Sequence, residues 1–227
     1  MGGASENKEV AGKYYLAVFN RGLLKAPMST DVNKEFIASL GPVMAIAESQ
    51  KGFVWRFRSG TDGPKDESYK EVDSQFPGLA LLNLSLWESV DHLRHFLYKS
   101  GHAPYLRRKK EWFYEDNGEL PPVAPASAPH HVLWWHPAGA EPPDFHMAML
   151  KCSQLLEHGP SPEAFTVRNP FSPPGLDGLS VAKNDAFGND DAYWRQPLSR
   201  SDKWLLRVLL STVMLGMIAA RVANRKP

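Results

Sequence analysis

Residues 79–87 read LALLNLSLW, and residues 88–100, directly after them, read ESVDHLRHFLYKS. The first stretch is apolar at both parities, with Leu82, Leu84 and Leu86 against Leu81 and Trp87, which is the pattern of a strand covered on both faces. The second places Val90, Leu93, Phe96 and Leu97 on one side of a helix. A strand that runs straight into an amphipathic helix is the unit around which the rest of the chain arranges itself.

Upstream, residues 14–20 (YYLAVFN) form an apolar, β-rich strand, and residues 53–58 (FVWRFR) form another. Between them, Thr30 or Asp31 can cap a helix whose apolar positions Phe36, Ile37, Leu40, Val43, Met44 and Ala47 recur at helical spacing. Gly41-Pro42 lies inside that run and predicts a kink or two short helices. Residues 59–77 show little periodicity and read as a loop. Downstream, a further helix runs through Tyr105, Leu106, Trp112 and Phe113, with a basic side of Arg107, Arg108, Lys109 and Lys110. A Pro/Ala-rich loop precedes a strand at residues 131–136 (HVLWWH), and a last helix spans about residues 144–158 before Gly159-Pro160.

Strand, helix, strand, strand, helix, strand is the order of a ferredoxin-like split βαβ fold, here with extra helices, so the class is α+β. In such a fold helices cover one side of the sheet. The strands are apolar at both parities, with Phe53, Trp55 and Phe57 set against Val54, so the other side also needs a cover. A second copy of the sheet is the economical cover, and a homodimer is the expectation.

Charge is nearly balanced, at a formal +1, so nothing global points to nucleic acid. The single cysteine, Cys152, excludes an internal disulfide framework and reads as a packing thiol. Residues 1–9 are small and polar and lack the apolar core of a signal peptide, and residues 1–12 are expected to be flexible.

The C-terminal end differs. Residues 204–220 read WLLRVLLSTVMLGMIAA, with Arg207 the one charge inside. At about 1.5 Å per residue, a helix over 204–222 is roughly 28 Å long, close to the apolar core of a bilayer. Trp204 suits the interface, and Arg207 and Arg221 lie near the ends, where arginines snorkel to headgroups. Thr212, Gly216 and Ala220 recur every four residues as a small-residue ridge that could pack on another membrane helix. An amphipathic helix lying on the domain is the alternative, although Ser211 and Thr212 are the only polar residues over 208–220. The expected organisation is a domain over 13–168, an irregular connector over 169–202, a transmembrane helix over 203–223 and a tail over 224–227. A short span flanked by basic residues is similar to the tail anchors of the mitochondrial membrane, the preferred location.

Residues 84–102 (LSLWESVDHLRHFLYKSGH) resemble the dimeric α/β-barrel superfamily that includes the antibiotic-biosynthesis monooxygenases. In that superfamily a Trp closes the third strand, an acidic-Ser pair opens the helix and Ser-x-His ends it, as Trp87, Glu88-Ser89 and Ser100–His102 do here. The resemblance is nearer to a branch of unknown function. It rests on Asn20-Arg21-Gly22 with Lys25-Ala26-Pro27, Gly52–Arg56, Leu106–Phe113, Trp134–Gly139 and His158–Thr166. It implies a dimeric α/β barrel whose cavity between sheet and helices holds a flat or hydrophobic ligand. Some relatives oxygenate polycyclic substrates without a cofactor, some bind or degrade haem, and some have no known catalysis.

Asn20, Trp55, Asn83, Ser85, Trp87, Trp134 and His136 sit on strands or strand ends, where such a pocket would be lined. The competing reading is that the tryptophans fill the core and Asn83 bonds to backbone. His102 and Asn20 are the candidates for chemistry, His102 as acid, base or haem ligand, or else as a helix cap. His92 and His95 have no carboxylate or thiol at partner spacing, so no metal site is expected. Cofactor identity is open, haem included. Two functions remain: a membrane-anchored protein binding a planar hydrophobic ligand in an oxygenase-like pocket, or a non-catalytic accessory subunit of a mitochondrial membrane complex.

Overall fold

The computed structural model describes residues 14–61, 63–74, 79–114 and 131–176. The apolar segment 204–222, with Trp204, Arg207, Thr212, Gly216, Ala220 and Arg221, lies outside the described residues. Among the described residues no helix is long and apolar enough to cross a membrane.

Four strands form one antiparallel sheet: β1 (Tyr14–Leu23), β2 (Phe53–Arg56), β3 (Ala80–Trp87) and β4 (His131–Pro137), in the spatial order β2-β3-β1-β4. This is the ferredoxin-like arrangement expected from the order of elements. The helices are α1 (Lys34–Ser49), α2 (Pro64–Asp73), α3 (Val90–Lys99), α4 (Ala103–Arg107), α5 (Lys109–Trp112) and α6 (Phe145–His158). A short 3-10 turn, Asp31–Asn33, leads into α1. Helix α1 runs through Pro42 as one element, so the division into two short helices, one of the two outcomes expected there, does not occur. The basic segment divides at Arg108 into α4 and α5 in place of one helix.

The side chains of successive strand residues point to opposite sides of the sheet, and the two sides here carry separate cores. On the far side, Ala17, Phe19, Leu23, Leu82, Leu84, Leu86, Val132 and Trp134 pack with Phe145, Ala148, Cys152 and Leu155 of α6 and with Val72 of α2. On the near side, Leu16, Trp87 and Leu133 pack with Ala47 of α1, Val90 and Leu93 of α3, and Phe165.

The cover of the far side is the main departure from expectation. Residues 59–77 were expected to be a loop, yet ten of them form α2. Tyr69 of α2 stacks on Phe57 at 5.1 Å and meets Phe145 of α6 at 5.3 Å. The Ser68 hydroxyl accepts the Phe145 N–H at 3.1 Å, which satisfies a donor of the first turn of α6. Asp144 caps the same helix by accepting the Met147 N–H at 2.8 Å. The apolar parity that argued for a second sheet is thus met by α2 and α6 of the same chain.

The outer edge of β4 is also closed from within. Leu133 and Phe165 exchange two backbone hydrogen bonds of 2.8 Å each. The first part of the expected connector docks beside them, where Trp135 Nε1 donates to Phe171 O at 2.8 Å. Arg94 of α3, 7 % exposed, donates to Val167 O at 2.8 Å and ties this strap to the near side.

Candidate functional site

The near side of the sheet is not covered uniformly. Its apolar residues fall into two clusters, one around Leu16, Trp87 and Leu133 and one around Leu24, Phe36 and Trp112. Along β3 the near-side positions are Leu81, Asn83, Ser85 and Trp87. Leu81 packs with the second cluster and Trp87 belongs to the first, so Asn83 and Ser85 lie between them. On β1 the matching residues are Val18, opposite Ser85, and Asn20, opposite Asn83. Asn20 also pairs in register with His131 on β4.

Asn20 is exposed although its strand has neighbours on both edges. Its β4 partner, His131, is the first residue of that strand, so solvent reaches Asn20 at the opening left where β4 begins. One end of that opening is closed by Phe113, whose ring occupies the space a Cβ on Gly22 would need. Within it Asn83 Nδ2 donates to Asn20 Oδ1 at 3.3 Å.

His102 lies in the turn that joins α3, which belongs to the first cluster, to α4, which contributes Tyr105 to the second. The residues before it explain its setting. Ser100 Oγ donates to Phe96 O at 2.6 Å, and Ser100 Oγ accepts the His102 N–H at 3.1 Å. A Cβ on Gly101 would stand 2.8 Å from Ile46 Cδ1 of α1, the flexible end of a side chain that would have to shift. His102 does not cap α4 with its side chain. Its Nδ1 bonds Leu97 O at 3.3 Å. A carbonyl only accepts, so Nδ1 carries the proton and Nε2 keeps its lone pair. Burial lowers the imidazole pKa, against a smaller raising effect of the Leu97 bond, so the ring is neutral near pH 7.

Two rings connect His102 to the sheet. Its imidazole lies 4.6 Å from the Phe96 ring, and Phe96 stacks on Trp87 at 5.2 Å. Trp87 Nε1 then donates to Ser85 Oγ at 3.1 Å. Phe96 was not singled out in the sequence as a site residue. The signal for it was its place on the apolar stripe of α3, which reads equally as core.

The seven strand residues expected to share a pocket divide between the two sides. Asn20, Asn83, Ser85 and Trp87 are together on the near side. Trp55 pairs with Leu86 after a register shift that follows Phe53, and it packs against the far-side core. Trp134 is buried in that core at 3 % exposure. His136 bonds Glu141 O through Nε2 at 2.8 Å, and burial lowers its pKa.

The remaining candidates are structural. Cys152 is buried in the far-side core, and burial pushes its thiol up to about 12, so it is an inert packing thiol. His92 packs on Gly52 with its Nδ1 3.5 Å from Glu88, and His95 lies 3.3 Å from Gln50 Oε1. Among the described residues no group of three or more His, Cys, Asp or Glu could hold a metal ion. The basic side chain Arg108 is bound to Glu35 at 2.6 Å and to Glu111 at 2.7 Å.

Sheet order, helix placement and the polar opening together define an α+β protein on a four-stranded ferredoxin-like sheet with both sides covered by its own helices. Within that class the chain belongs to the family described as a domain of unknown function, DUF3291, whose profile matches residues 15–180. No curated protein and no solved structure matches the chain. Apart from Tyr14, the matched span takes in all four strands and the turn at His102, and it stops before the apolar segment at 204–222.

Proposed function

We propose that the near side of the sheet binds a flat, neutral, largely apolar ligand, in an oxygenase-like site where His102 is the proton acceptor. The observation that carries this reading is the exposure of Asn20 on a central strand, opposite the first residue of β4 and between two apolar clusters. Polar side chains on the floor and apolar rims on either side are the composition of a small-molecule site. A neutral imidazole with its tautomer fixed by a backbone carbonyl fits general-base work on an acidic O–H of the ligand. The resemblance to the antibiotic-biosynthesis monooxygenases supports the same reading. The apolar segment at 204–222 would hold the site at a membrane in which such a ligand is dissolved.

Haem, the cofactor suggested by that resemblance, meets a partial fit. A histidine whose Nδ1 is held by a carbonyl suits axial ligation. The floor residues Asn20, Asn83 and Ser85 offer no cation for propionates, and Arg56, next in register beyond Ser85, is engaged by Glu48 at 2.6 Å.

The test uses β-naphthol, a flat apolar molecule with one acidic O–H. Titrated into the full chain, it should quench tryptophan fluorescence saturably, with an affinity about tenfold above that of 2-methoxynaphthalene, whose oxygen has no proton to donate to His102 Nε2. His102→Phe, which lacks the acceptor, should bring the two affinities to within about twofold. Absence of saturable binding, or an unchanged ratio in His102→Phe, would contradict the proposal.

A second reading, a non-catalytic subunit of a membrane complex, draws on Met147 and Leu150. These side chains are 40 % and 46 % exposed on α6. Stoichiometric co-purification of membrane proteins from the native source, lost on Met147→Asp with Leu150→Asp, would favour it.

A further inference from the structure

We infer that the Asn20–Asn83 pair reads the edge of the ligand, so that the natural ligand carries a carbonyl acceptor beside an N–H or O–H donor on a flat neutral ring. This rests on the ligand-binding reading above and makes it specific.

A primary amide has one carbonyl acceptor and one NH2 donor group. Joined by the single bond from Asn83 Nδ2 to Asn20 Oδ1, the pair still offers the Asn83 carbonyl and the Asn20 NH2. Turning both amides over exchanges the two residues' parts and leaves the same offer. One acceptor and one donor therefore stand side by side, on strands whose Asn20 and Asn83 are direct register partners. Ser85 adds a second donor. Its oxygen takes the Trp87 indole N–H, which cannot accept, so the hydroxyl proton is left for another partner.

Charge narrows the class further. The floor supplied by Val18, Asn20, Asn83 and Ser85 is flanked by His131, in register with Asn20, and by Arg56, in register with Ser85. Arg56 is paired with Glu48 at 2.6 Å and His131 already has a partner, so a charged ligand moved against the apolar rims loses hydration without a free counter-charge from either. A ligand with a single acceptor would leave one half of the amide pair without a partner once water is displaced. A lactam, imide or hydroxyketone edge satisfies both halves.

The test compares carbostyril, whose ring carbonyl adjoins an N–H, with N-methylcarbostyril, which lacks the donor, and quinoline, which lacks the carbonyl too. Affinities for the full chain are read by saturation-transfer NMR. Carbostyril should bind about tenfold more tightly than N-methylcarbostyril, the size of one net hydrogen bond in a desolvated site. Asn20→Ala, at an exposed position that tolerates truncation, should reduce that ratio to within about twofold. Equal binding of all three probes to the native chain would overturn the edge reading and leave the flat-ligand reading standing. Binding of none would overturn both.

Discussion

Trp87 Nε1 donates to Ser85 Oγ at 3.1 Å, a bond between two residues on the same side of one strand. Trp87 is 1 % exposed and touches Phe53 and Phe96, so its indole is a fixed wall of the site and Ser85 is its one polar anchor in the described residues. Ser85→Ala orphans the indole N–H and should cost about 1–3 kcal/mol. Urea unfolding followed by tryptophan fluorescence measures it, and a loss near zero would mean that water satisfies the indole.

The far-side cover gives a larger effect. Phe145 of α6 is 0 % exposed and meets Phe57 at 4.8 Å, Tyr69 at 5.3 Å and Phe19 at 6.1 Å. Phe145→Ala should lower stability by about 3–5 kcal/mol. A loss under about 1 kcal/mol would mean that α6 is not part of the core.

Gly52 and Gly60 make a matched pair. Both have positive φ, +81° and +80°, yet the His92 side chain fills the place of a Cβ on Gly52 while Gly60 faces open space. Gly60→Ala should cost the conformational term alone, about 1 kcal/mol. Gly52→Ala adds a clash with the His92 ring and Cβ and should cost at least about twice that. Equal losses in thermal unfolding would contradict the packing of α3 on this turn.

Stability should depend on pH through two histidines. Burial holds His102 and His136 below the ordinary 6.5, so the unfolded chain takes up protons first. Their contribution is complete above pH 6.5 and is lost as pH falls through that value toward the folded pKa. His102→Gln should flatten the decline between neutral and mildly acid pH in urea titrations. An unchanged slope would show that His102 is solvated.

Much of the fold was legible because the strands are long in apolar residues and the helices α1, α3 and α6 repeat theirs every three or four positions. Helix α2 was missed because PKDESYKEVD is polar throughout except for Tyr69 and Val72. Its trace was present: Pro64 followed by Asp66 and Glu67 is a helix-start pattern, and Tyr69 and Val72 are three apart. Missing it, and setting the 144–158 helix on the same side of the sheet as the others, left the far side without a cover and produced the expectation of a second sheet.

The site was legible by residue type and not by side. Asn20 and Asn83 come together only through the β1–β3 register, and Trp55 moves to the far side through the irregularity after Phe53. Register is set by tertiary packing, so no count along the sequence assigns those faces. His102 was legible from its motif, but its tautomer follows from the Leu97 carbonyl, which only the folded turn brings within reach.

The most direct test of the ligand-binding account follows NMR signals of the full chain during a carbostyril titration. The account predicts that the side-chain NH2 signals of Asn20 and Asn83 and the indole N–H of Trp87 shift together with one affinity, while the indole signals of Trp55 and Trp134 stay in place. Shifts confined to Trp55 and Trp134, or no saturable shift at Asn20 and Asn83, would contradict it.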